Sequence, residues 1–382
     1  MSVLRILIFS AAILSSAASI AGDCDPVDFS AEMGPVRNQG KTGWCYAFTA
    51  ADLIGFEIGI TPAEQVSAAD VAAATYLENP RELEARSAQM STANLGYVAQ
   101  FKRNMLVGAV RSLDANQAQW WGMPLAAREG GFEHLAIAVY NMRGGACLES
   151  KVASQKSEIF LNSGEFLWGK YGFKRYSGVD ENTVKQPPIE NLRLPGASES
   201  SKCRLTAELE DVLSPDLERH LNELVASQAN AEMKRACIPR RPLGKTLLPQ
   251  YIQVGSANTS KSAAFVIESN LNRHRPTGID YSACFLNGGP DLGVGTTACS
   301  HASSVVGRRI NQKTGVCEYK IRNSWGSSCD NYRKDLKANC ENGNIWVSRA
   351  EVTQNLQGVT SMMKESEFLA APGGVFNNPT GR

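Results

Sequence analysis

The first half of the chain has the hydrophobic spacing of helices. Ala47, Ala51 and Ile54 recur at intervals of three or four residues, and Gly59 follows them as a stop signal. This pattern predicts a helix over residues 45–59. By the same reasoning, helices are predicted over residues 67–77 and 131–142, and a helical hairpin is predicted over residues 203–237.

The last third of the chain has a different pattern. Short runs of strand-forming residues alternate there with Gly, Asn and Ser, which is typical of strands joined by turns. Strands are predicted at residues 275–279, 303–309, 318–322 and 344–348. The chain is therefore helical first and stranded later, an order that predicts the α+β class. Residues 370–382 are rich in Gly, Pro and Asn, so a flexible tail is expected over 364–382.

The N-terminus has the pattern of a secretory signal peptide. Arg5 precedes an apolar stretch at residues 6–14, and the small residues of 19–21 predict cleavage after Ala21. The apolar stretch is too short to span a bilayer. A lipid anchor at Cys24 is not expected, because the preceding residue is an aspartate. The predicted location is therefore secreted or periplasmic.

Charge and cysteine count narrow the choice of function. The formal net charge is +1 over 382 residues, so no electrostatic attraction to nucleic acid is predicted. Ten cysteines in an exported chain indicate disulfides, and spacing favours Cys203 with Cys237 and Cys329 with Cys340. The cysteines and histidines do not form the paired, closely spaced clusters of a zinc site, so neither a metal nor another cofactor is expected.

Cys45 lies where a loop that contains glycines, residues 39–43, meets the first predicted helix. Backbone N–H groups and the partial positive charge of a helix N-terminus lower the pKa of a thiol and favour the nucleophilic thiolate. A histidine would complete the ion pair, and a third group would orient that histidine. For a single cysteine of an exported protein, however, a buried or disulfide-bonded role is the commoner one.

Residues 34–48 resemble the active-site helix signature of the papain family of cysteine peptidases. In that signature a glutamine lies six positions before the nucleophile, as Gln39 does relative to Cys45. The resemblance implies that Cys45 is the nucleophile. It also implies that the Gln39 side chain and the backbone N–H of Cys45 bind the oxyanion. The chain departs from the family at Thr42, where many members have a disulfide cysteine.

Two downstream segments complete the resemblance. Residues 299–307 are similar to the strand that carries the histidine of the family, and residues 319–326 match its Asn-Ser-Trp-Gly signature. The resemblance implies that His301 is the general base and acid, that Asn323 orients it, and that Trp325 shields their hydrogen bond from water. The other histidines, His134, His220 and His274, are expected on the surface or in packing contacts.

A less specific resemblance covers residues 129–149. Gly130 and Gly131 are similar to the paired glycines beside the cleft of the family, whose backbone pairs with an extended substrate. Such pairing needs a close approach, which glycine permits. The alternative is an ordinary turn that leads into the helix predicted at 131–142.

The resemblance implies a papain-like two-lobed α+β fold, with a helical left lobe, an antiparallel β right lobe and helical insertions. The expected divisions are a signal peptide at 1–21, a catalytic domain at 22–363 and the tail at 364–382. Within the domain they are a helical lobe at about 40–150, a helical insertion at about 150–255 and a β lobe at about 256–350. Another insertion is expected near 80–128.

The reaction implied is hydrolysis of peptide bonds by a monomeric cysteine peptidase that acts on polypeptides. Only residues 22–44 lie between the predicted cleavage site and Cys45, so the inhibitory propeptide of most members is not expected. Either the helical insertion or a separate protein inhibitor is then expected to restrain the enzyme. Two alternatives stay open: a catalytically degenerate papain-fold binding protein, and another acyl transferase that uses the same cysteine chemistry.

Overall fold

The computed structural model describes residues 24–40, 43–76, 131–154, 230–231, 233–245, 247–288 and 299–363. Predictions that lie outside these residues are the signal peptide at 1–21, the insertion at 80–128, most of the hairpin at 203–237, His220 and the tail at 364–382. They stay predictions.

The helical lobe contains α1 (Cys45–Glu57), α2 (Ala68–Tyr76) and α3 (Glu133–Tyr140). All three helices were predicted from hydrophobic spacing, and the structure confirms them within about two residues at each end. A short 3-10 turn continues α3, and Gly144 ends it in the left-handed conformation. α1 is buried on nearly every side, since Tyr46, Leu53 and Ile54 are excluded from solvent. It packs against both other helices and against the sheet.

The strands of the described residues form one antiparallel sheet. They are β1 (Val27–Asp28), β2 (Leu248–Gln253), β3 (Thr277–Ser282), β4 (Ser300–Ile310), β5 (Cys317–Arg322), β6 (Cys340–Glu341), β7 (Asn344–Ser348) and β8 (Leu356–Met363). Their order is β2-β8-β3-β4-β5-β7-β6, and β1 pairs with β4. The four predicted strands are confirmed as β3, β4, β5 and β7. The sheet extends past the expected limits of 256–350, because β1, β2 and β8 join it from outside.

Helices α4 (Ala257–Asn272), α5 (Cys284–Asn287) and α6 (Arg349–Asn355) accompany the sheet. α4 begins with a capping box, in which Ser256 and Thr259 exchange side-chain to backbone hydrogen bonds. None of the helices in the described part of the chain is long and apolar enough to cross a membrane.

The buried hydrophobic residues divide into two cores. One lies mainly among α1, α2 and α3, and the other lies between the sheet and its own helices. The second core includes Ile279, Val305, Ile321 and Val359, one from each of four adjacent strands. This arrangement confirms the α+β class and the two-lobed organisation expected of a papain-like fold.

A buried ion-pair network joins the two lobes. Asp52 on α1 accepts hydrogen bonds from Arg322 at the end of β5 (2.8 Å) and from Arg37 (2.7 Å). The Arg322 guanidinium also donates to the carbonyl groups of Gly34 and Pro35. Because the side chains of Arg37, Asp52 and Arg322 are at most 10% exposed, the network fixes the start of α1 relative to the end of β5.

Four disulfides lie within the described residues, and they correct one of the two predicted pairings. Cys329–Cys340 is confirmed. Cys237 is bonded to Cys147 and not to Cys203, which lies outside the described residues. The prediction was wrong because spacing along the chain does not determine which cysteines meet in space. The remaining disulfides are Cys24–Cys317 and Cys284–Cys299, and Cys45 is a free thiol.

Candidate active site

Cys45 is the first residue of α1, at the junction between the two lobes. Its sulphur accepts hydrogen bonds from the backbone N–H groups of Ala302 on β4 and of Tyr46. The preceding residue, Trp44, makes no side-chain capping hydrogen bond to the helix. The contact with Ala302 brings the thiol to β4, at the residue that follows His301.

His301 and Asn323 meet across adjacent strands. His301 lies near the beginning of β4, and Asn323 follows the last residue of β5, which pairs with β4. Nε2 of His301 lies 2.7 Å from Oδ1 of Asn323. An amide oxygen can only accept, so Nε2 carries the proton in this contact. Nδ1 of His301 then has the lone pair that a general base requires.

Several neighbours hold this pair in place. Oδ1 of Asn323 also accepts from the Ser324 backbone N–H (2.7 Å) and from the Ser303 hydroxyl (3.3 Å). The ring of Trp325 lies 5.1 Å from the imidazole of His301, centroid to centroid, and covers one side of it. The hydrogen bond between the imidazole and the amide is therefore buried, and the Ser324 N–H, the Ser303 hydroxyl and the Trp325 ring hold its two partners in place.

Gln39 is anchored to the segment that follows β5. Its backbone N–H donates to the carbonyl oxygen of Ser324 (2.8 Å), and the N–H of Gly326 donates to the carbonyl oxygen of Arg37 (2.9 Å). The Ser324 hydroxyl also donates to Oε1 of Gln39. Because Oε1 is the accepting end of this contact, the Nε2 group is the end of the carboxamide that can donate to a ligand.

Gly131 lies beside the start of α1, whereas Gly130 lies outside the described residues. The φ of Gly131 is 151°, in the region that favours glycine. A Cβ atom there would lie 3.1 Å from the ring atoms of Tyr46, the residue next to Cys45. A side chain at this position would therefore press on the beginning of the helix that carries the thiol.

Burial has opposite effects on the two titratable groups of the site. It raises the pKa of the Cys45 thiol to about 11, although the Ala302 N–H opposes the shift, and the nearby carboxyl groups of Asp280 and Glu133 add to it. Burial lowers the pKa of His301 to about 4, against the effect of its bond to Asn323. Each group taken by itself is therefore neutral at pH 7.

The low pKa of His301 predicts a loss of stability in acid. Between pH 6.5 and pH 4 the unfolded chain binds a proton at this residue and the folded chain does not. The free energy of unfolding should therefore fall as the pH falls, by about 1.4 kcal/mol per pH unit for this group. Urea unfolding of the wild type and of His301→Gln between pH 4 and pH 7 measures the difference. Equal slopes for the two proteins would contradict the assignment.

The structure adds residues that were given no role in the sequence analysis. The hydroxyl groups of Ser303 and Ser324 orient Asn323 and Gln39, respectively. The role of Ser303 could have been predicted from the sequence, because residues two apart on a strand face the same side and Ser303 lies two residues after His301. Glu133 and Asp280 lie close enough to the thiol to raise its pKa. The signal for Asp280 was an acidic residue within a strand that is otherwise uncharged.

No protein-family model matches the sequence, and no curated protein matches it. Among solved structures, bromelain from Ananas comosus in complex with E64 is 13% identical, with 87% of this chain and 96% of that chain covered and a TM-score of 0.37. Digestive procathepsin L 3 of Tenebrio molitor is 13% identical, with 89% and 69% covered and a TM-score of 0.39.

A third match is the proform of the ragweed pollen allergen Amb a 11, a cysteine protease. It is 13% identical, 91% of this chain and 68% of that chain are covered, and the TM-score is 0.37. TM-scores of this size carry no argument about activity, so the function proposed below depends on the geometry of the chain itself.

Proposed function

We propose that the chain is a cysteine peptidase in which Cys45 is the nucleophile, His301 the general base and acid, and Asn323 the residue that orients His301. One observation carries this proposal. The only described cysteine outside a disulfide begins a helix, and it bonds to the backbone of Ala302, the residue that follows a buried histidine whose Nε2 is bonded to an amide oxygen. That is the set of groups that thiol-based acyl transfer requires.

The steps follow from the positions of these groups. Nδ1 of His301 accepts the thiol proton, and the sulphur attacks the carbonyl carbon of the peptide bond. The imidazolium then gives its proton to the departing amine, which leaves a thioester on Cys45. A water molecule, deprotonated by His301, attacks the thioester carbon. The carboxylic acid leaves, and the thiol is restored.

Gln39 and Gly131 have supporting roles in this proposal. The Nε2 group of Gln39 and the backbone N–H of Cys45 would stabilise the negative charge on the carbonyl oxygen in the transition state. Gly131 and the neighbouring Gly130 would let an extended peptide approach the backbone beside Tyr46. Trp325 would keep water from the bond between His301 and Asn323. The Gln39 donor and this approach to the backbone favour peptide hydrolysis over acyl transfer to other acceptors.

We also propose that the protein is exported. The four disulfides are of the kind that persist in oxidising compartments. With the signal-peptide pattern at residues 1–21, they support secretion or delivery to the periplasm. We expect the protein to be a monomer that acts on polypeptides. We also expect either a protein inhibitor or the helical insertion to restrain its activity.

A peptide-library cleavage assay tests the proposed activity. The wild-type protein is incubated with the library between pH 5 and pH 9, and mass spectrometry identifies the cleaved bonds. We expect defined cleavage sites, loss of cleavage after treatment with an epoxide, and modification of Cys45 by that reagent. A folded protein that cleaves no peptide in this range, or that still cleaves after Cys45 is blocked, would refute the proposal and favour the binding-protein alternative.

A further inference from the structure

Two buried carboxyl groups lie beside the thiol. Glu133, in the first turn of α3, is fully excluded from solvent, and Asp280, in the middle of β3, is 8% exposed. Asp280 pairs in the sheet register with Ala302, whose N–H bonds to the sulphur of Cys45. Oε1 of Glu133 lies close to Gly278 on the same strand, so both carboxyl groups occupy one site.

No cationic side chain of the described residues donates a hydrogen bond to this pair. Oε1 of Glu133 accepts from the Thr360 hydroxyl at 2.7 Å, and the Tyr251 hydroxyl is bonded to Asp280. Asp280 also makes a side-chain hydrogen bond to Glu133, so one of the two carboxyl groups carries a proton, and among the described residues Oε2 of Glu133 and Oδ2 of Asp280 are buried without a donor from any other residue. Buried polar atoms are nearly always satisfied, and here the shared proton is the donor that a bound cation would replace.

The pair also differs from the other buried carboxylates in its charge environment. Asp52 and Asp70 each have an arginine partner within 2.8 Å. The side chains that act electrostatically on Asp280 are instead the acidic Glu133 and the phenol of Tyr251. Burial and the neighbouring Glu133 raise the pKa of Asp280 well above its usual range. Among the described residues, therefore, no positively charged side chain is paired with Glu133 and Asp280, and a cation from outside the chain could take that place.

The surroundings suit a long cation with an aliphatic stem. The Tyr251 hydroxyl bonds to Asp280, the Tyr251 ring stacks on His134 with centroids 4.0 Å apart, and the half-exposed ring of Phe132 lies 6.2 Å from the Tyr251 ring. Lys and Arg side chains bury their methylene groups against such surfaces and present donors at the end. A bare Mg²⁺ or Ca²⁺ ion fits less well, because it needs more oxygen ligands than a pair of carboxyl groups offers.

We propose that Glu133 and Asp280 form a specificity site for a Lys or Arg side chain of the substrate, whose donors replace the shared proton at Oε2 of Glu133 and Oδ2 of Asp280. The inference rests on the proposed peptidase function of Cys45. It has a second consequence, because both carboxyl groups raise the pKa of the thiol. A bound cation would offset their charge, so the correct substrate would itself favour the thiolate.

The first test labels the thiol and requires no peptidase activity. Methanethiosulfonates react with a thiolate to form a disulfide and release methanesulfinate. We expect the trimethylammonioethyl reagent to modify Cys45 about 10- to 100-fold faster than the neutral propyl reagent, after correction for their rates with a small thiol. The sulfonatoethyl reagent should be slowest. Equal corrected rates in the wild type would overturn the proposal without any need of a variant.

Variants then locate the effect. Glu133→Gln and Asp280→Asn keep the shape of each side chain and remove its charge, and each should reduce the cation preference to within a few-fold of unity. Tyr251→Phe removes a hydroxyl that competes for Asp280, so the preference should rise or stay unchanged. Glu341→Gln, on the strand at the opposite edge of the sheet, is the matched control and should behave as the wild type. A preference that survives both charge-removing substitutions would contradict the assignment.

The second test uses fluorogenic peptides that carry Arg, Lys, citrulline or norleucine. We expect kcat/KM to favour the cationic peptides by about 10- to 100-fold, and Asp280→Asn to remove that preference. Cleavage through Cys45 with no such preference would overturn this inference and leave the peptidase proposal intact. A cation preference in labelling without any cleavage would overturn the peptidase proposal and leave the cation site standing.

Discussion

Replacing Cys45 by alanine is expected to lower peptide cleavage by about a million-fold, the loss seen when the nucleophile of a hydrolytic triad is removed. The reason is that acyl transfer requires a covalent bond to the sulphur, which no neighbouring group can replace. Tyr46 and Ala302 would keep their backbone positions, because α1 and β4, to which they belong, do not depend on the thiol for their folding. Peptide binding should therefore change little while kcat falls.

His301→Ala is the informative partner of this substitution. The two residues act as a unit, so each single variant should be nearly as inactive as the double variant. The measurement is kcat/KM for one cleaved library peptide, with circular dichroism to confirm that each variant is folded. The Cys329→Ala/Cys340→Ala pair, remote in sequence from Cys45, serves as a control for the loss of cysteines as such. Additive losses in the Cys45 and His301 cycle would contradict a shared catalytic role.

Substituting Gln39 by alanine is expected to lower kcat by about 100- to 1000-fold with little change in KM, because an oxyanion donor acts mainly in the transition state. The loop itself should survive the change. It is anchored by backbone bonds, in which the Gln39 N–H donates to Ser324 and the Gly326 N–H donates to Arg37. Only the side-chain donor is lost.

Two comparisons separate this role from a structural one. Ser324→Ala removes the hydroxyl that bonds Oε1 of Gln39, so it should lower kcat by less than Gln39→Ala does. Gln65→Ala is the structural control. Its amide donates to the carbonyl groups of Met33 and Pro35, so its loss should lower the free energy of unfolding and leave kcat nearly unchanged. A rise in KM with constant kcat for Gln39→Ala would argue for uniform substrate binding instead.

The sequence by itself determined the local elements. The helix that starts at Cys45 and the strands that carry His301 and precede Asn323 have side-chain periodicities that depend on near neighbours, and such patterns can be read along the chain. The relation of Gln39 to Cys45 is also local, since six residues separate them. The resemblance of short motifs, in order, indicated the site residues, among which the structure joins His301 to Asn323.

The tertiary structure alone decided which distant residues meet. Cys237 pairs with Cys147, Asp52 joins Arg322 across the lobes, and β2 and β8 extend the sheet, because chain entropy and packing, not spacing, select long-range contacts. The juxtaposition of Glu133 and Asp280 is of the same kind. Each residue has an ordinary local context, and only the folded chain encloses both beside one thiol, where burial makes their shared charge matter.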